Sequence, residues 1–333
     1  MWVCGVTDPA IRGRGVTASN RLCRKGLGQV VPNGPAAALI PARRWRGPLV
    51  RQVSHGLQIS AMSTEPVPAA PSLPDSFYRE LADGSFESTS ATAGPWSPKT
   101  QHAGPPSALV GRALERHGAR AGSRIARVTV ELLRPVPVAD LRVEVRTVRA
   151  GGRVELLEGE LTADGEPVLL ARAWRMVASP AGTPALRHGP AAPPKPGPQV
   201  PQTMTGAHLD GYVSAMEWRF EHGRSFDSLG PGTVWARQRI PLVAGEQDTP
   251  LRRALTLADS SWAVAFELDH REGLVINTDV TLALHRDPVG EWLCLRSETA
   301  ASPAGSGLAT GLMYDESGDC GRVLQTLLVT ERR

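Results

Sequence analysis

The sequence predicts an α+β protein built from two tandem copies of one unit, a helix followed by a run of antiparallel strands. Three observations carry this. A helix-period segment over 104–118 leads into period-two segments up to residue 177, and the same order recurs over 259–329. Between the copies, residues 178–201 hold eight prolines and no acid, a composition that cannot bury enough apolar surface to order itself.

In the first copy, Gly104-Pro105-Pro106 suits a first helical turn, where a missing N–H costs nothing, and Gly118 suits a C-terminal stop. Leu109, Val110, Ala113 and Leu114 recur at helical spacing on one stripe. Strands are predicted over 127–135, 141–148, 154–161 and 168–176, with Gly151-Gly152 and Asp164-Gly165 as hairpin turns. In the second copy the prediction is a helix over 259–273, then strands over 279–286, 292–299, 307–314 and 321–329, with turns at Gly305 and Ser317-Gly318. Arg134-Pro135 answers Arg286-Asp287-Pro288, Gly118 answers Gly273, and Asp164-Gly165 answers Ser317-Gly318. Because an amphipathic helix must bury its stripe and a sheet offers one apolar face, each unit should be a helix wrapped by a curved antiparallel sheet. The expected organisation is a disordered extension over 1–74, an N-terminal unit over 75–177, a linker over 178–201 and a C-terminal unit over 202–333.

Charge is unevenly placed. Residues 1–61 hold nine Lys or Arg and the single acid Asp8, for +8, and the rest of the chain holds 28 bases against 32 acids, for −4. A basic pI therefore belongs to the extension, and the body loses electrostatic support for nucleic acid. The extension lacks the apolar core of a secretory signal, and its prolines and glycines are too frequent for an amphipathic targeting helix. We read 1–61 as a misassigned upstream extension ahead of a start at Met62. No run approaches the roughly 20 apolar residues of a membrane span. Of the four cysteines, Cys4 and Cys23 lie in the extension; Cys294 and Cys320 lack metal-ligand spacing, so no metal is expected and a reducing cytoplasm fits.

Nothing matches a serine-hydrolase elbow, a Walker loop, a His-Glu-x-x-His site or a dinucleotide fingerprint. Polar residues present in the second copy and absent from the first stand out instead. On the repeat, Asp259 falls opposite Gly104, Asn277 opposite Ile125, and Gln325 near Ala171 or Arg172. A carboxylate can orient and deprotonate a water, and two carboxamides can hold that water and polarise a substrate. As the first residue of a predicted helix, Asp259 also brings a backbone N–H within reach of a developing oxyanion. The plainer readings are an N-cap for Asp259, a structural hydrogen bond for Gln325, and a strand-edge residue for Asn277. Trp262 reads as core or pocket wall, and His102 as a solvated or capping group or a substrate contact at the first helix start.

The second copy, through Ala258-Asp259-Ser260-Ser261, Asn277 to Pro288, Gly290-Glu291-Trp292-Leu293 and Gly321 to Gln325, resembles acyl-CoA thioesterases of the double-hotdog, thioesterase II type. His102-Ala103-Gly104-Pro105-Pro106 resembles the N-terminal hotdog of the same proteins. The resemblance spans about 75–333. It implies two tandem hotdogs, hydrolysis of an acyl-CoA or carrier-bound thioester by activated water, no cofactor, and an Asp, a Gln and a hydroxyl residue around that water. Asp259 and Gln325 match the first two. Asn277 stands where the family has Thr, with Thr278 adjacent. His102, Gly104, Trp262 and Thr278 are the expected substrate contacts. Lipid metabolism is the expected setting, and a homodimer is compatible with two fused copies. The rivals are a hotdog acyl-thioester dehydratase or hydratase, which needs a His paired with a carboxylate and finds only His102, and a non-catalytic acyl-thioester binding protein.

Overall fold

The computed structural model describes residues 73–180, 182–184, 189–269 and 273–331. The expectations for the basic extension and the start at Met62 lie outside the described residues. The first half comprises the hairpin strands β1 (Tyr78–Glu80) and β2 (Phe86–Ser88), the short pair β3 (Ala93–Gly94) and β4 (Ser97–Gln101), helix α1 (Gly104–Arg116), and strands β5 (Ser123–Leu132), β6 (Leu141–Arg149), β7 (Val154–Ala163) and β8 (Glu166–Val177). The second comprises α2 (Tyr212–Ala215), β9 (Met216–Phe220), β10 (Gly232–Gln238), α3 (Pro250–Ala258), α4 (Ser261–Val264), β11 (Gly273–Asn277), β12 (Asp279–Leu284), β13 (Leu293–Ala301), β14 (Ser306–Asp315) and β15 (Gly318–Glu331).

One antiparallel sheet runs through both halves in the order β1-β2-β6-β7-β8-β5-β12-β15-β14-β13-β10-β9, with β11 also on β15. Read outward from the centre, β5-β8-β7-β6-β2-β1 is answered by β12-β15-β14-β13-β10-β9, so the repeat seen in sequence is a repeat in topology. The halves join where β5 pairs β12, with Thr281 opposite Thr129 and the two hydroxyls hydrogen-bonded at 3.1 Å. Period-two patterning decides which face is buried: along β7, Leu157, Gly159, Leu161 and Ala163 point inward between half-exposed neighbours. At the β7–β8 turn, Asp164 and Gly165 take φ of 50° and 79°, the pair of positive values a two-residue hairpin loop requires.

Both long helices lie on the buried face. The stripe expected on α1 is there: Leu109, Val110 and Leu114 are fully buried against Val128, Val130, Leu157 and Leu161, in a core that continues to Ala254, Leu255, Leu282 and Val323 of the second half. Each such leucine stabilises the fold by about 1.5–3 kcal/mol. α1 and α3 touch closely because α1 carries Gly111, where a β-carbon would sit 2.4 Å from Leu255 Cδ1. Charges clamp the same seam. Arg112 of α1 and Arg252 of α3, both buried, share Glu246, and Arg252 also meets Glu115.

One expected element is corrected. Residues 259–273 are not the second helix; that helix is α3, which starts nine residues earlier, with Thr249 as its N-cap, its hydroxyl accepting from Arg252 N–H, and Pro250 in the first turn. It ends at Asp259-Ser260-Ser261, whose short polar side chains hydrogen-bond elsewhere instead of favouring another turn. Only the four residues of α4 are helical beyond that point among the described residues. Gly273 therefore opens β11 and does not answer Gly118.

The described part of 178–201 forms no helix or strand, yet it is tied to the second half. Gln199 bonds both backbone groups of Phe220, and Lys195 lies 4.9 Å from the Trp292 ring centre. Cys294 and Cys320 are buried, and burial pushes the Cys320 thiol up to about 12, as suits small apolar residues and not nucleophiles. No helix among the described residues is long and apolar enough to cross a membrane.

Candidate active site

A cavity of about 440 Å³ opens between the halves, within the range of small-molecule sites. The first half contributes Trp96, His102, Arg134 and Val136, and the second contributes Tyr212, Phe226, Asp259, Ser260, Trp262, Ile276 and Asn277. A larger depression of about 860 Å³ lies elsewhere, lined by Pro193, Pro194, Glu221, His222 and Arg296, without convergent buried carboxylates or amides.

Asp259 is the residue after the last turn of α3, with helical φ/ψ, and it is 3% exposed. A carboxylate at a helix C-terminus faces the negative end of the dipole, so the oxyanion donor expected from a helix start at Asp259 is not supplied by α3. Side chains supply the compensation. Asn277 Nδ2 donates to Asp259 Oδ1 at 2.7 Å, and Gln325 Nε2 donates to the same oxygen at 3.3 Å and to the Asp259 carbonyl at 3.1 Å. Gln325 Oε1 accepts from Trp262 N–H at 3.0 Å. The alternation of β15 turns Val323, Gln325 and Leu327 inward, which is why a polar side chain there is fully buried and fully bonded. Asn277 ends β11 opposite Leu327, two residues along the partner strand from Gln325.

The other carboxylate oxygen faces the first half. His102, between β4 and α1, places Nδ1 3.2 Å from Asp259 Oδ2 and receives Gly104 N–H on Nδ1 at 3.1 Å. Pro105 and Pro106 have no N–H to offer, so the start of α1 presents little else there. The imidazole stacks on Tyr212 at 3.7 Å with 8° between the planes. Tyr212 is fixed in turn, its hydroxyl donating to the Thr256 carbonyl at 2.8 Å and lying 2.9 Å from Ser260 Oγ. Burial lowers the His102 pKa against the opposing pull of Asp259, and burial raises that of Tyr212, so the neutral imidazole and the phenol are favoured.

The structure thus brings together Asp259, Asn277, Gln325 and His102, and sets Trp262 in the cavity wall, stacked on Trp96. It does not bring Gly104 or Thr278 to the cavity. Gly104 packs on α3, where a β-carbon would lie 2.2 Å from the Thr256 carbonyl oxygen; its role is close helix approach. Thr278 is exposed at the break between β11 and β12 and bonds Asp279 and the Thr326 carbonyl, because strand alternation turns it away from Asn277. Tyr212 and Ser260 are the additions. A lone tyrosine after Gly211 gives no periodic or motif signal, and the stack that identifies it exists only after folding. No cluster of metal-ligating side chains occurs among the described residues.

Comparison with known proteins follows the same division into halves. Residues 92–176 match the acyl-CoA thioesterase N-terminal domain and residues 187–329 match the acyl-CoA thioesterase C-terminal domain. Similar solved structures include the tesB protein of Mycobacterium avium subs paratuberculosis (17% identity, 74% of this chain and 93% of that chain, TM-score 0.53). Others are acyl-CoA thioesterase II TesB2 of Mycobacterium marinum (16%, 77% and 95%, 0.53) and a hot dog fold protein of unknown function from Alicyclobacillus acidocaldarius (18%, 75% and 92%, 0.57). No curated protein matches the sequence. The fold is that of tandem hotdogs, and with both of its halves matched, the chain belongs to the acyl-CoA thioesterase family and is a thioester hydrolase.

Proposed function

We propose that this thioesterase works from the Asp259 carboxylate, drawing a proton from a water that attacks the thioester carbonyl and releasing free acid and thiol. The observation that carries this is a buried carboxylate at a substrate-sized cavity whose Oδ1 is held by two carboxamides from separate strands and whose Oδ2, left without a donor among the described residues, faces His102 Nδ1 at 3.2 Å. Asn277 and Gln325 serve by holding the carboxylate, since their amide groups donate to it. Trp96, Phe226 and Trp262 offer apolar wall to an acyl chain. We place the enzyme in the cytoplasm and in lipid metabolism, with the units at 75–177 and 202–333 as the two hotdogs and a homodimer as the assembly. The test is thiol release from a series of short to long acyl-CoAs by the chain and its Asp259→Asn variant. The expected result is a chain-length optimum and a loss of about 100-fold or more in kcat for the variant. Equal release by both proteins would remove Asp259 from the reaction.

The His102–Asp259 contact also supplies the His-carboxylate pair that a hydratase needs. Assaying 2-enoyl-CoA alongside separates the readings: hydration without thiol release would replace hydrolysis.

A further inference from the structure

We propose that His102 carries the proton of the hydrolysis, receiving on Nδ1 the proton that Asp259 takes from water and giving the proton on Nε2 to the departing sulfur. The inference rests on Asp259 being the base. Three observations lead to it. His102 Nδ1 accepts from Gly104 N–H at 3.1 Å, which sets the resting proton on Nε2. The same Nδ1 lies 3.2 Å from Asp259 Oδ2, so the carboxylate oxygen not used by Asn277 and Gln325 is a proton step away. With Nδ1 so engaged, Nε2 is the ring nitrogen left for a bound substrate, and His102 lines the cavity, its plane fixed by the Tyr212 stack.

The sulfur needs such a donor here. A thiolate released among Trp96, Tyr212, Phe226 and Trp262 would be desolvated. Arg134 is the one arginine among the lining residues; it is 54% exposed on its side chain and paired with Glu166. The step balances. The water oxygen forms the C–O bond with its own electron pair, and its proton passes to Asp259 and on to His102 Nδ1. The C–S bond breaks with its pair on sulfur, and sulfur takes the Nε2 proton. One water is consumed, acid and thiol are formed, Asp259 is again a carboxylate, and His102 returns to its resting tautomer by exchange with water.

The test uses the full chain, an acyl-CoA, and the matching acyl ester of 4-nitrothiophenol, whose thiolate leaves without a proton. His102→Gln is expected to lose about 100-fold or more in kcat/KM on the acyl-CoA and only a few-fold on the aryl thioester. Asp259→Asn is expected to lose on both. An equal loss by His102→Gln on both substrates, or no loss on either, overturns the role of His102. Retention of both activities by Asp259→Asn instead overturns the underlying reading of Asp259. Should His102→Gln fail to fold, the unmodified enzyme decides: across alkyl and aryl thioesters its rate should depend weakly on the thiol pKa, and a steep dependence refutes proton delivery to sulfur.

Discussion

Replacing Gln325 by methionine removes three hydrogen bonds and almost no volume. The glutamine is fully buried, accepts from Trp262 N–H at 3.0 Å, and donates to the Asp259 carbonyl at 3.1 Å and to Oδ1 at 3.3 Å. Methionine fills the same space, so the cavity contribution is small. What remains is one buried N–H and one buried carbonyl without partners, each costing about 1–3 kcal/mol, for a central figure of about 3 kcal/mol after the easier burial of an apolar side chain. For a folded body of this size that is a drop of about 6–12 °C in Tm, read by calorimetry. Because the same bonds anchor the Asp259–Trp262 segment, kcat should fall with Tm, by about 10-fold or more. Gln325→Glu is the control. Ionised, it sets a second carboxylate against Asp259; protonated at low pH, it can donate again, so its Tm deficit should shrink as pH falls. A methionine variant melting within about 2 °C of the parent would refute the claim that Gln325 holds this segment.

Glu246→Gln should cost about 2–4 kcal/mol in denaturant unfolding, because Arg112 and Arg252, with side chains 5% and 6% exposed, lose a shared partner; the partial exposure of Glu246 sets the lower end. Arg112 foremost, against the cost of burial, holds the Glu246 carboxyl at about 2, below its ordinary 4.5. A carboxyl depressed on folding contributes stability that is present above pH 4.5 and lost as pH falls from 4.5 through 2, so the parent should lose stability over that window more steeply than Glu246→Gln. Tyr212→Leu removes the platform under His102 and should lower kcat about 10-fold with KM little changed. Tyr212→Phe keeps the stack, loses the bonds to Thr256 and Ser260, and should cost about 1 kcal/mol in stability with kcat nearly intact.

The reach of the sequence differs between strands, helices and site. Strands β5 to β8 and β12 to β15 fall within a few residues of the expected spans, since alternation along each strand reports directly which face meets the core. The expected helix over 259–273 rests on Trp262, Ala263 and Phe266, which are apolar at near-helical spacing; in the fold Trp262 and Ala263 line the cavity from the four-residue α4, and Phe266 lies beyond its end, packed on Trp262. Thr249-Pro250, with Leu251, Ala254, Leu255 and Ala258 on one stripe, carried the better signal. The short strands β1, β2, β9 and β10 carry no local pattern strong enough to claim; β2 and β10 are placed by pairing with β6 and β13, and β1 and β9 by pairing with β2 and β10 in turn.

By itself, the sequence determined the two-copy α+β architecture and the polar residues of the second copy, Asp259, Asn277 and Gln325, because periodicity and polarity in apolar surroundings are local properties. Only the tertiary structure decided how they meet. Asp259 ends a helix instead of starting one, its carboxylate takes the carboxamides of Asn277 and Gln325 directly, and its other oxygen reaches His102 from the opposite half. That last contact joins residues 157 positions apart in the chain, brought together because β5 pairs with β12 and α1 lies against α3. No pattern within a window of sequence encodes such a distance; the shared sheet and the close helix pair do.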